Sequence, residues 1–377
     1  MSRADLPFLL PFLLPAAAAV LVASAHFASF FLGLELLSVA LYGLIAYTRD
    51  NARSVEAGIK YLVLAAFSAA FLLLGMAFVY GSRGTLAFAP TMAAAGAPDA
   101  LLLGGLALII VGIGFKLAVV PFHWWTPDVY QGAPAPVAGF IATVSKGAVF
   151  ALLLRYFAPL APAREPAVVA IFGGIAVASM LVGNLLALRQ RSLKRLLGYS
   201  SIAHMGYLLV AFLAGGRWAV PAVAFYLTAY FITTLAAFGV IAQLSTPERE
   251  ADDLADYAGL AWRRPGLAAV LIAALFSLTG IPLTAGFMGK FYLLSAGVSA
   301  GLWVPVLALV LGSGIGLYYY LRVIIAICRE PEGASRTAAR GPVVGGLALA
   351  GLGLLLIWLG VYPGPLVELV QRIAGRF

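Results

Sequence analysis

Four of the five lysines in this 377-residue chain, Lys60, Lys116, Lys146 and Lys290, stand inside long apolar runs. A cation at membrane depth costs at least roughly 2–3 kcal/mol, so such residues are rare and face a protein interior or a hydrated path. Arginine stays charged in essentially every setting, whereas lysine gives up its proton when it is desolvated. The nineteen arginines all fall at the ends of the apolar runs or between them, and the fifth lysine, Lys194, is read as a loop residue. The permanent cation is kept outside and the titratable one inside. Glu35, in Phe31-Leu32-Gly33-Leu34-Glu35-Leu36-Leu37, is the only carboxylate in the middle of a continuous run. A carboxylate beside a lysine favours the protonated amine, and withdrawing it releases a proton. Residues of these types in this pattern point to proton movement.

Competing structural roles exist for each group. Glu35 could lock two helices in an ion pair, and a lysine near a helix end can snorkel to the interface. Lys116 and Lys146 lie about three turns inside their runs, which makes snorkelling the weaker alternative for them. Lys60 is about one turn in and within reach of the interface, and Lys290 follows a break in its run. His123 and His204 can accept and pass protons near neutral pH, or can simply be satisfied interior histidines. His26 sits at a junction between runs and reads as interfacial. The hydroxyls of Tyr199, Ser200, Ser201, Thr143 and Ser145 are suited to holding a water chain or to bonding backbone carbonyls. Asp128 lies beyond a break and Glu56 starts a run. Glu248, Glu250, Asp252, Asp253 and Asp256 cluster in one long connection.

The elements that must position these groups follow from composition. Hydrophobic residues make up 63% of the chain and charged residues 10%. That excess of apolar surface requires an all-α polytopic membrane protein, since barrel strands would be short and alternating. About 11 transmembrane helices are expected, at roughly 6–24, 28–47, 57–80, 101–120, 136–157, 167–188, 193–213, 218–244, 267–294, 302–327 and 343–361. The run from Leu6 to Val22 is long for a signal-peptide core and is not followed by a convincing small-residue cleavage site, so no cleavable signal is expected. Proline removes one helical hydrogen bond and clashes with another, so Val120-Pro121-Phe122-His123 must break the fourth helix and Gly280–Gly286 the ninth. The backbone groups freed there belong in the protein interior.

The two broken helices, each with an intramembrane lysine nearby, fall five spans apart. That spacing predicts two five-helix units, 6–158 and 167–327, inserted with opposite topology, and a final helix at 343–361, all within one membrane domain, 1–377. The net charge of +9 is the arginine excess of one membrane side rather than a nucleic-acid footprint. On the N-terminal side stand Arg3, Arg49, Arg53, Arg189, Arg191, Lys194, Arg195, Arg249, Arg263, Arg264, Arg322, Arg329, Arg336 and Arg340. The opposite side has Arg83, Arg155, Arg164, Arg217, Arg372 and Arg376. Fourteen against six places the N-terminus in the cytoplasm and the C-terminus outside. Phosphate-binding loops, dinucleotide fingerprints, zinc-protease motifs and nucleophile elbows are missing from the sequence. Cys328 is the only cysteine, which rules out a disulfide within the chain. Gly312 and Gly316 read as close helix packing. No redox cofactor is expected in this chain.

The stretch from Gly114-Phe115-Lys116 through Pro121-Phe122-His123-Trp124-Trp125-Thr126-Pro127-Asp128-Val129-Tyr130-Gln131-Gly132-Ala133-Pro134-Ala135-Pro136 resembles the antiporter-like membrane subunits of respiratory complex I, the NADH:quinone oxidoreductase. Phe31–Leu37, Ser54–Tyr61, Lys194–Leu208, Gly280–Tyr292 and Gly312–Arg322 carry the same resemblance. It implies a proton-translocating subunit of the membrane arm, in a bacterial inner membrane, driven by quinone reduction elsewhere. NAD, FMN, iron–sulfur clusters and quinone would then belong to partner subunits, and the contacts of this chain would be other membrane-arm subunits and the lipid bilayer. The resemblance matches Glu35 to a carboxylate that pairs with Lys116, Lys146 to a central relay lysine, and Lys290 to the lysine leading outward. Lys60, His204 and His123 are possible further relay positions. The family has fourteen spans as a rule, and this chain begins where the fourth would. A subunit of a cation/proton antiporter or related membrane-bound complex, or a scaffold that pumps nothing, are the alternatives.

Overall fold

The computed structural model describes residues 6–93, 99–157, 166–246, 249–330 and 343–374. Arg3, Arg164, Arg336, Arg340, Arg376 and Glu248 lie outside the described residues. The chain forms helices α1 (Leu6–Ala23), α2 (Phe27–Ile45), α3 (Ala52–Arg83), α4 (Ala100–Leu117), α5 (Thr126–Gly132), α6 (Ala135–Phe157) and α7 (Pro166–Ala187). Then follow α8 (Leu193–Ala214), α9 (Gly216–Leu244), α10 (Pro265–Thr279), α11 (Ala285–Ser299), α12 (Trp303–Cys328), α13 (Val343–Val361) and α14 (Gly364–Ala374). Among the described residues nine helices are long and apolar enough to cross a membrane. The shorter apolar stretches Leu13–Ala23 and Pro265–Thr279 bring the number to the expected eleven. The last of the fourteen, α14, is a short amphipathic helix after Pro363 that the apolar runs do not mark.

Local chemistry sets the helix ends. Asn51 caps α3 by accepting from Arg53 N, Asp99 caps α4 by accepting from Leu102 N, and Ser192 caps α8 by accepting from Arg195 N. A side-chain oxygen at such a position satisfies one of the free amides of the first turn. At the first break α4 stops on Ala118, at φ 59°, and the chain resumes helix at Thr126. At the second break α10 stops on Gly280, at φ 89°, and α11 starts after Thr284. Both interruptions fall in the expected places, about three residues earlier in the first case. The helix α6 is regular only in part, with π turns at Ile141–Ser145 and Leu153–Phe157, and Lys146 directly follows the first of them. Such turns are frequent at functional positions.

The bundle is organised around α8. Of its apolar window 94% is buried, against 17% for α13, so α8 is the axis and α13 a peripheral helix. It packs on α7, α5, α9 and α11. Leu32, Val39, Ile59 and Phe67 on α2 and α3, and Val304, Leu307 and Ile325 on α12, are exposed. Outward apolar faces of this kind are what a bilayer or an apolar neighbour solvates. Buried polar side chains collect instead where α8 meets the two broken helices.

Candidate functional site

Three lysines occupy the interior. Lys116 on α4, Lys146 on α6 and Lys290 on α11 are 3%, 0% and 7% exposed. Among the described residues, none of the three has a carboxylate within 4.0 Å. Lys116 Nζ donates to Ser38 Oγ at 2.6 Å, and Ser38 in turn donates to Leu34 O. The amine stands 5.3 Å from the ring centre of Tyr61. Glu35 lies one turn before Ser38 on the same face of α2, and its Oε1 is buried without a hydrogen-bond partner. Lys116 therefore reaches the face of α2 that carries Glu35, but it is seated on the serine.

Lys146 donates to Ser201 Oγ on α8, and Ser201 shares a 3.1 Å hydrogen bond with Tyr130 OH on α5. The Lys146 amine is 5.7 Å from the Tyr130 ring centre. One turn along α8, His204 Nδ1 is 2.7 Å from Tyr226 OH, with Tyr230 and Tyr207 packed against the ring. A small cavity of about 10 Å³ opens beside His204, Thr233 and Ser277, close to the volume that one water needs. Thr233 and Ser277 hydrogen bond to each other at 2.9 Å, and Ser277 Oγ accepts from Gly286 N. This hydroxyl chain runs from the centre into the second break.

Lys290 lies past that break. It donates to Thr279 O at 2.8 Å, a carbonyl at the end of α10, and to Ser313 Oγ at 3.1 Å. Its amine is 5.0 Å from the Tyr207 ring centre. Tyr207 OH accepts from Asn184 Nδ2, and Asn184 Oδ1 accepts from Tyr319 OH. A Cβ on Gly280 would come within 2.9 Å of Lys290 Cδ, so the bare backbone there makes room for the lysine stem. Gly312 has a packing role, but against the polar Asn184–Tyr207 pair: an added Cβ would lie 2.8 Å from Asn184 Nδ2.

The remaining expected residues separate from this row. Lys60 has a side chain 41% exposed and pairs with Glu56 at 2.6 Å and Asp128 at 2.9 Å. Asp128 also pairs with Arg195, so Lys60 belongs to a charged cluster at the side of α5. His123 is buried in the first break with Nδ1 unpartnered and its ring stacked on Trp124. His26 accepts from Ala28 N and caps α2. Thr143 donates to Gly139 O, whereas Ser200 bonds Tyr320 OH. Cys328 is exposed at the end of α12. Among the described residues no cluster of three or more His, Cys, Asp or Glu is placed to hold a metal ion.

Lys194 corrects the sequence reading. It is the second residue of α8, fully buried, and it donates to Ala133 O and Glu250 Oε2. The apolar run that follows hides how deep the helix start lies. Ser38, Ser313, Tyr130, Tyr207 and Tyr226 escaped attention as well. For Ser38 a signal existed, since it lies three residues from Glu35 and so shares its face.

Residues 24–316 match the family described as NADH:quinone oxidoreductase/Mrp antiporter, transmembrane. The chain is similar to NADH-quinone oxidoreductase subunit N of Methylococcus capsulatus, at 52% identity over 363 residues, covering 94% of this chain and 73% of the relative. Subunit N of Ectopseudomonas mendocina is 53% identical over 377 residues, covering 96% and 75%. The chain thus spans about three quarters of the length of these relatives. Within the group named from the motifs around Lys116 and His123, subunit N is also the type those motifs most resemble. A chain of respiratory complex I from Thermus thermophilus superposes with a TM-score of 0.85 at 36% identity, covering 98% of this chain and 80% of that one. A chain of the Mrp complex from Dietzia shares the fold, with a TM-score of 0.88 at 22% identity, covering 97% and 76%.

Proposed function

This chain belongs to the family of NADH:quinone oxidoreductase and Mrp antiporter membrane subunits, and on that premise we propose that it is the proton-translocating subunit N of a bacterial NADH:quinone oxidoreductase. It works in the membrane arm beside other membrane-arm subunits, in the inner membrane, with its N-terminus as given cytoplasmic and its C-terminus periplasmic. It is the translocase part of the enzyme and does no redox chemistry itself; NAD, FMN, iron–sulfur clusters and quinone act in partner subunits. Its two five-helix units, 6–158 and 167–327, each contribute one broken helix to a single path.

The observation that carries this reading is the row of three buried lysines, each held by hydroxyls or a carbonyl and none by a carboxylate. A buried unpaired charge is costly. Lysine is the one strong cation that can relieve that cost by releasing its proton, and neutral hydrogen-bonding partners serve both the ammonium and the amine. Glu35, Lys116, Lys146 and Lys290 form the relay, with Glu35 setting the charge state of Lys116 from one turn away. His204 and His123 line the same interior, and Lys60 acts at its margin. Moving one charge against 100 mV costs about 2.3 kcal/mol, the equivalent of less than about two pKa units, so a modest charge rearrangement suffices.

Lys116→Met in the assembled complex, reconstituted in vesicles, is expected to remove most NADH-driven proton pumping while the complex still assembles. Pumping at the unmodified level would refute the relay.

A further inference from the structure

Lys194 and the acids around it are not used by the relay, yet they sit where it would have to be fed. A polar vestibule of about 1340 Å³ opens on the face that carries Arg53, Arg189, Arg191, Arg195 and Arg249. Its floor is Gln131, Gly132 and Pro134, the elbow between α5 and α6, together with Glu250 and Asp252. Tyr130 immediately precedes the elbow in sequence, and its hydroxyl meets Ser201 and through it Lys146. Lys194 and Ser201 are seven residues apart on α8, hence on one face with a rise of about 10 Å between them. None of Tyr130, Ser201 and Lys146 lines the vestibule, whereas the elbow and one strap of chain do.

That strap, Arg249–Tyr257, is fastened at both ends of the elbow. Glu250 takes Lys194 on one carboxylate oxygen and the backbone N–H of Ala135, first residue of α6, on the other, at 2.8 Å. Asp252 takes Ser192 on one oxygen and Gln131 Nε2, from the last turn of α5, at 2.8 Å on the other. Leu193 N donates to Asp252 O at 2.7 Å and Leu254 N to Arg191 O at 2.9 Å, which adds a two-bond backbone bridge. At the end of the strap Tyr257 is fully buried and donates to Ala251 O. Lys194 also holds the elbow itself through Ala133 O at 2.6 Å. One buried ammonium thus joins α8, the elbow and the strap.

We propose that the strap is a gate for water and protons: the Glu250–Lys194 latch closes the vestibule off from the Tyr130–Ser201–Lys146 chain, and its release connects them. The proposal rests on the relay reading for what lies beyond the gate. Glu250 is a positioning residue, acting on access and not on the transfer itself. A strap that only stabilised the fold would need neither the vestibule above it nor a single carboxylate shared between the lysine and the start of the relay helix.

Two measurements on the whole complex test it. In the wild-type enzyme, hydrogen exchange in peptides covering 191–196 and 249–257 is expected to be several-fold faster during NADH turnover than at rest; equal rates would overturn the gate. In vesicles with an imposed pH gradient and no NADH, Glu250→Ala is expected to raise passive proton flux several-fold, and Glu250→Ala with Lys146→Met to return it to the wild-type level. An assembled Glu250→Ala complex with no added flux overturns the gate and leaves the relay to be judged by Lys116→Met. Flux that persists without Lys146 overturns the assignment of the gate to this path. If Glu250→Ala does not assemble, the wild-type exchange rates decide.

Discussion

The two broken helices solve the same problem with opposite surroundings. At the first, the lysine precedes the break: Lys116 is next to last in α4 and reaches across to Ser38, one turn from the buried, unpartnered Oε1 of Glu35. At the second, the lysine follows the break: Lys290 lies in the second turn of α11 and reaches back to Thr279 O and across to Ser313, with the Tyr207 ring beside it and, among the described residues, no carboxylate within 4.0 Å. In the proposed relay, the carboxyl one turn from Ser38 is the group whose movement would bias the proton on the first lysine. Among the described residues no buried, unpartnered carboxylate oxygen lies one turn from the partners of Lys290. On the proposed relay, the first break would then act as a switch and the second as a holding point.

Removing charge at the first break and a hydroxyl at the second is the sharpest way to break that comparison. Glu35→Gln is expected to cut NADH-driven pumping by more than half with electron transfer retained. Ser313→Ala removes one hydrogen bond to a cation, worth roughly 1.5–3 kcal/mol at most, but leaves Thr279 O in place and should lower pumping only slightly. Both are read as the proton-to-electron ratio in vesicles. Equal losses would mean that the carboxylate confers nothing special on the first break.

A smaller effect separates the backbones. Gly280 has φ 89° and its missing side chain admits the Lys290 stem, whereas the matching helix stop in the first break is Ala118 at φ 59°. Gly280→Ala puts an L-residue into the left-handed region, at roughly 1–2 kcal/mol, and drives a methyl group against Lys290 Cδ. Thermal unfolding of the complex should occur at lower temperature and pumping should fall in parallel. Ala118→Gly relieves the same strain where no lysine stem depends on it, and pumping should stay at the wild-type level. A loss at Ala118 as large as at Gly280 would show that backbone stiffness, not lysine placement, is what both breaks share.

Much of this contrast was legible in the sequence. Pro121 and the Gly280–Gly286 stretch announce breaks because proline and glycine act within their own turn of helix. Lys116, Lys146 and Lys290 stand out because a charged residue in an apolar run has no local reason to be there. What escaped was set by distant neighbours. Ser38 holds Lys116 across 78 residues of sequence and Ser313 holds Lys290 across 23, and a serine in a helix has many local alternatives among carbonyls. Lys194 reads as a loop lysine because its partner Glu250 lies 56 residues away. The amphipathic α14 is too short for a span and has no apolar run to mark it.

The smallest predicted effect lies at the entrances of the two broken helices. Asp99 caps α4, and the backbone N–H of Leu102 followed by the hydroxyl of Ser82 holds its carboxyl below the usual carboxylate range. The second broken helix starts on Pro265 with no side-chain hydrogen bond capping it, so no carboxyl cap is lost there on acidification. A carboxyl depressed in the folded state contributes stability above its unfolded pKa and loses that contribution as pH falls through the folded value. Acidification below about pH 4 should therefore speed hydrogen exchange in the first turn of α4, at Ala100–Leu103, relative to the first turn of α10, after correction for the intrinsic pH dependence of exchange. Asp99→Asn keeps an oxygen that can accept from Leu102 but cannot titrate, so the acid-specific difference should vanish in that variant. Equal acid sensitivity at both entrances would remove the cap as a distinction between the two broken helices and leave the backbone at the breaks and the lysine surroundings.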